Sequence, residues 1–85
     1  MASTYILKCD DGSYYVGSTI DINKRQQEHQ EGRSKFTKSR LPIVLVYKKD
    51  FKILSEARKE ERKIKHWKSR KAVERLIKSA NGPII

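Results

Sequence analysis

Apolar residues along this chain fall in short runs whose period changes from one segment to the next. Positions 4–9 and 13–18 are rich in aromatic and β-branched residues, which suit a pleated surface, and read as two strands. Asp10-Asp11-Gly12 between them is turn chemistry. A three-residue loop with a left-handed Gly12 pairs Cys9 with Ser13, Leu7 with Tyr15 and Tyr5 with Gly17, making Tyr5 and Tyr15 diagonal neighbours on one face. A two-residue Asp11-Gly12 turn would send them to opposite faces, because a slip of one residue inverts a strand. After Pro42, Ile43-Val44-Leu45-Val46-Tyr47 is the strongest strand signal, and its unbroken hydrophobicity predicts a strand covered on both faces.

Helical periods fill much of the remainder. Asp21 is a good N-cap for a short, mostly polar helix to about Gln30, with Gly32 as its stop. That helix has little beyond Ile22 to bury and is expected at the edge of the protein. Residues 33–41 read as a basic loop or short helix around Phe36. Ser55 is the expected cap of a helix from 56 to about 67, with Leu54, Ala57, Ile64 and Trp67 marking its buried side. Ser69 caps another from 70 to about 79, striped by Ala72, Val73, Leu76 and Ile77, and Asn81-Gly82-Pro83 ends it. The expected class is α+β: a small three-stranded antiparallel sheet flanked by helices, one domain over residues 1–85 with its core in about 4–78.

Composition narrows the setting. A chain of 85 residues has a small core, and Cys9, its only cysteine, makes no internal disulfide. Cys9 reads as a small half-buried residue, which suits a reducing cytoplasm. No apolar run approaches the roughly 20 residues that span a bilayer, and the N-terminus lacks the pattern of a secretory signal. A soluble cytoplasmic protein is expected, a monomer or weak dimer. The net charge of +10, from 20 Lys and Arg against 10 Asp and Glu, favours a polyanionic partner. The cations cluster, and Lys24, Arg33, Lys35, Lys38, Arg40, Arg58, Lys65 and Lys68 are the expected nucleic-acid contacts.

Candidate chemistry follows from spacing. Arg25 and His29 are four apart and share a helix face. Glu60 and Glu61 flank the apolar stripe of their helix on either side, which shields one of them in part. A shielded carboxylate requires a compensating cation or donor, and a hard divalent ion is one such partner. Pairing with Lys65 at i+4 on the surface is the plainer alternative, and periodicity does not choose between the two glutamates.

Taken in order, Tyr5 in Ser3-Thr4-Tyr5, then Tyr15-Val16-Gly17, Arg25, His29 and Glu61, with Ile64-Lys65-His66-Trp67-Lys68 after it, resemble the motifs of the GIY-YIG nuclease family. The segment from Phe36 to Pro42 and Leu45-Val46-Tyr47 are similar to its small stand-alone bacterial members, and the likeness covers about residues 4–78. Three features depart from the pattern. Ser3-Thr4 replaces the Gly-Ile of the first motif, Ser18 stands where some relatives carry lysine, and no asparagine follows Glu61 in the corresponding helix.

The resemblance implies a metal-dependent DNA endonuclease that hydrolyses phosphodiester bonds in one step, in DNA repair, recombination or processing. It assigns Mg²⁺ or Mn²⁺ to Glu61 and the phosphate charge to Arg25. Tyr5 would help take a proton from the attacking water, Tyr15 would position water or phosphate, and His29 would orient Tyr5 or share the proton. A tyrosine pKa near 10 is high for a base, so that role implies nearby cations that lower it. The alternative is a non-catalytic basic module that binds nucleic acid on the same scaffold. A protein-interaction domain whose charge serves an acidic partner is a further alternative.

Overall fold

The computed structural model describes residues 1–80. Strands β1 (Ala2–Cys9) and β2 (Tyr14–Thr19) precede helices α1 (Ile22–Gln30) and α2 (Lys35–Lys38). Strand β3 (Ile43–Phe51) and helices α3 (Leu54–Trp67) and α4 (Arg70–Ala80) follow. The sheet is antiparallel in the order β2-β1-β3, with the N-terminal strand in the centre. The expected α+β architecture holds. The stop at Asn81-Gly82-Pro83 lies outside the described residues.

Local chemistry explains the hairpin. Gly12 takes a φ of +84°, its N–H donates to the Cys9 carbonyl at 3.0 Å, and the Cys9 N–H donates to the Ser13 carbonyl at 2.8 Å. Tyr5 therefore pairs with Gly17 and Leu7 with Tyr15, the register read from the three-residue loop. Asp21 caps α1 by accepting from the Lys24 N–H at 3.1 Å, and Gly32 follows the helix at a φ of +79°. Ser69 Oγ accepts from the Ala72 N–H at 3.2 Å at the start of α4.

Two expectations fail for non-local reasons. The strand covered on both faces is β1, buried everywhere but Lys8, whereas β3 is an edge strand with Val44 60% exposed. A β-bulge explains how the apolar run of β3 is used: Leu7 pairs with Leu45 but Ile6 with Tyr47, leaving Val46 as the extra residue. Ile43 and Leu45 consequently pack with Tyr5 and Leu7 on one face, and Tyr47 packs with Ile6 on the other. Ser55 does not cap α3; the cap position is Ile53, without a side-chain hydrogen bond, and Ser55 lies inside the first turn.

The two sheet faces are covered differently. Tyr5, Leu7, Cys9 and Ile43 form one cluster with Tyr15, Ile22, Leu41 and Leu45, on the side of α1 and α2. Ile6, Tyr47, Ile64 and Val73 form the other, with Val16, Trp67, Leu76 and Ile77, beneath α3 and α4. Thr4 anchors α3 to the central strand by donating to the Ala57 carbonyl at 2.6 Å.

Candidate active site

Tyr5 is the hub of the site. Its ring crosses beneath Gly17, and a Cβ on that glycine would lie 2.5 Å from the phenol oxygen. Only glycine leaves room there, so the phenol reaches the outer edge of the sheet. Arg25 Nε donates to that oxygen at 3.3 Å, and His29 Nε2 lies 3.1 Å from it. Arg25 also donates from Nη1 to Glu28 at 3.3 Å, and its contact with Tyr5 holds the guanidinium above its ordinary range. Tyr15 stands 6.2 Å from Tyr5 and edge-on to His29 at 4.8 Å between ring centroids.

His29 departs from the expectation of an edge helix with little beyond Ile22 to bury. It is wholly buried, and so is Thr37, whose Oγ1 lies 2.8 Å from His29 Nδ1. Hydrogen bonds at both ring nitrogens remove most of the cost of burying the imidazole. A guanidinium can only donate, and Nε2 is the acceptor within reach of the phenolic proton. The imidazole proton therefore belongs on Nδ1, donated to Thr37. Burial, aided by the charge of Arg25 and opposed by Glu28, pushes His29 below its usual pKa, so the ring is neutral at pH 7.

The phenol corrects another expectation. Burial pushes Tyr5 up to about 12, outweighing the hydrogen bond from Arg25, and Tyr15 and Glu61 push the same way. The nearby cation does not make Tyr5 a phenolate. It remains a neutral hydroxyl with a donor on one side and an acceptor on the other.

Glu61 reaches the site from the opposite face. Ser18 follows Gly17 and so points toward α3, where its Oγ donates to Glu61 Oε1 at 2.5 Å. Lys65 Nζ donates to Oε2 at 2.6 Å, and the Glu61 side chain is 20% exposed. Glu60 turns the other way, onto the Tyr47 hydroxyl. Geometry separates the two glutamates that periodicity left open: the charge of Glu61 acts on Tyr5, and that of Glu60 on Tyr47. Among the described residues no group of three or more His, Cys, Asp or Glu could cage a metal. One half-shielded carboxylate, already facing a cation, fits a hard divalent ion whose other ligands are water and substrate oxygen.

The basic residues divide into two groups. Lys24, Arg25 and Arg58 line a polar cleft of about 430 Å³ beside Ser18 and Asp21. Lys65 and Lys68 line a second cleft on the other side of Gly17 along β2. Lys35 and Lys38 are exposed on α2, and Arg33 pairs with Glu31 at 3.2 Å. Arg40 is engaged within the molecule: it pairs with Asp11 at 3.1 Å, donates to the Phe36 carbonyl and lies 4.3 Å from the centre of the Phe36 ring. Sequence reasoning missed Thr37, for which no local signal existed, and treated Ser18 only as a departure. The hairpin register already placed Ser18 on the face away from Tyr15, which was the available clue.

Residues 1–75 match the GIY-YIG catalytic domain. The chain is 45% identical over 75 residues to UPF0213 proteins of Staphylococcus aureus strains Mu50 and N315, covering 87% of this chain and 90% of each relative. It is also similar to the solution NMR structure of the UPF0213 protein BH0048 from Bacillus halodurans. That match has 39% identity and a TM-score of 0.63, over 98% of this chain and 89% of the other. With its two tyrosines, arginine, histidine and glutamate gathered at one sheet edge, the chain belongs to the GIY-YIG family of nucleases.

Proposed function

We propose that this protein is a divalent-metal-dependent endonuclease that hydrolyses DNA phosphodiester bonds by water attack. The observation that carries the reading is the convergence of Tyr5, Arg25 and His29 with Glu61 across the strand edge at Gly17. A purely binding surface needs cations, but not a buried phenol and imidazole in contact beside a shielded carboxylate.

The phosphate enters along the polar cleft, where Lys24 and Arg58 attract it and Arg25, which also lines it, stabilises charge developing on its oxygens. Glu61, oriented by Ser18, would hold Mg²⁺ or Mn²⁺ in place of its ion pair with Lys65. When bound there, the ion supplies Lewis-acid stabilisation of the phosphoryl and leaving oxygens. Tyr5 accepts a proton from the attacking water as it passes its own to His29 Nε2, 3.1 Å away. No free phenolate is needed, which reconciles the role with a raised pKa. His29 holds a second proton poorly and returns it through Tyr5 once the bond has broken. Tyr15, packed against both rings, fixes their orientation.

Nicking of supercoiled plasmid with Mg²⁺ or Mn²⁺ tests this, comparing wild type with Glu61→Gln purified in the same way. Nicking by wild type alone is expected, with DNA binding near normal in the variant. Equal nicking by both would remove Glu61 from the mechanism. Binding without cutting by either protein, on single-stranded and branched substrates as well, would leave a nucleic-acid-binding module.

A further inference from the structure

The second cleft differs in kind from the polar one. It has a volume of about 490 Å³ and runs along β2 from Val16 to Ser13 at the hairpin turn. Val16, Ile64 and Val73 give it an apolar floor, Tyr14 and Phe36 contribute aromatic rings, and Lys65, Lys68 and Arg70 supply cations. It is continuous with the site just described, because Tyr15 and Lys65 belong to both. A fully paired duplex presents phosphates and sugars, which such a floor cannot satisfy. A flat heterocycle with a phosphate on each side suits both the apolar floor and the charged rim.

Lys68 adds an independent observation. It sits at the C-cap of α3 with φ +49° and ψ +33°, a left-handed conformation that favours glycine. A lysine in that place sets a cation at the cleft despite the backbone strain.

We propose that this cleft receives an unpaired nucleobase adjacent to the scissile phosphate, so that the substrate is single-stranded or locally unpaired nucleic acid. The inference rests on the nuclease reading, since it takes the phosphate to lie at Tyr5 and Glu61. Tyr14 and Phe36, already contacted by Arg70 at 5.0 Å and Arg40 at 4.3 Å, offer their remaining ring surface for stacking, and Lys68 holds a flanking phosphate, Arg70 being paired with Glu74.

The test is binding measured with chelator present, so that it does not depend on cleavage. DNA oligonucleotides carrying one 2-aminopurine are compared as a single strand, as a duplex with that base unpaired, and as a fully paired duplex. The expected result is at least tenfold tighter binding of the two unpaired forms, with 2-aminopurine fluorescence quenched on binding. Tyr14→Leu, which keeps the apolar bulk, should reduce that preference about fivefold or more, as should Phe36→Leu if the first variant folds poorly. Lys68→Gly, which suits the backbone, should weaken the two unpaired forms more than the fully paired duplex. Equal affinity for paired and unpaired forms, without quenching, would overturn the proposal. A protein that prefers unpaired DNA but never cuts would instead refute the nuclease reading and leave the cleft assignment standing.

Discussion

The two faces of the sheet bury side chains of similar size and use them in opposite ways. Under α3 and α4, Ile6, Tyr47, Ile64 and Val73 form a packed apolar layer. Under α1 and α2, Tyr5, His29 and Thr37 are equally buried but linked by hydrogen bonds from Arg25 through to α2. Among the described residues no buried side-chain nitrogen or oxygen lacks a partner, so the polar layer is satisfied as well as the apolar one. Apolar contacts have no direction and tolerate small shifts, whereas a hydrogen-bonded chain works only in one geometry. The layer beneath α3 and α4 should therefore carry mainly stability and the hydrogen-bonded chain the placement of Tyr5, with Glu61 joining the chemistry from α3.

Damage to the apolar face should test that division most severely. Ile64→Ala removes a fully buried side chain from α3 and should cost about 2–5 kcal/mol in urea unfolding, while the folded fraction cuts DNA within about twofold of wild type. A matching loss of specific activity would show that the faces are not separable. Gly17→Ala should do the reverse. Its new Cβ displaces the Tyr5 phenol, and cleavage should fall about 100-fold, because misplacement of about 1 Å is worth that much. Stability should fall by about 1–3 kcal/mol from overpacking.

Finer cuts to the polar layer sharpen the contrast. Thr37→Val keeps the shape but removes the acceptor for His29 Nδ1, and should slow cleavage roughly tenfold, the worth of about 1.4 kcal/mol of hydrogen bond. Thr37→Ser should recover most of the rate. Histidine side-chain NMR should report the Nδ1–H tautomer in wild type and its loss in the valine variant.

The smallest effect concerns pH. His29 has a folded pKa below its ordinary 6.5, so the unfolded chain binds more protons between those two values. Its stabilising contribution is complete above pH 6.5 and is lost as pH falls toward the folded pKa, by at most about 1.4 kcal/mol per pH unit. Thermal unfolding between pH 7.5 and 5.5 should show this slope, and His29→Gln should flatten it.

Features set by neighbouring residues were legible in the sequence. The hairpin register followed from Gly12, the start of α1 from Asp21, and the start of α4 from Ser69. Features set across the fold were not. The bulge at Val46 exists only in the pairing of β3 with β1, and it determines which side Tyr47 faces. The polar helix around His29 gave no sign of its burial, which depends on Tyr5, 24 residues away, and on Thr37 in the next helix. The raised pKa of Tyr5 depends on burial, which no count of nearby cations could supply.

The central position of β1 has a consequence for synthesis of the protein. Strand β1, carrying Tyr5, is made before β3 and waits for it to complete its pairing, and for α3 to bring Glu61 opposite Ser18. A nascent chain that has passed Phe51 but not reached Glu61 holds all three strands and still lacks the carboxylate of the candidate site. On the proposed reading, translation products that stop before Glu61 do not cut DNA even where their sheet has formed.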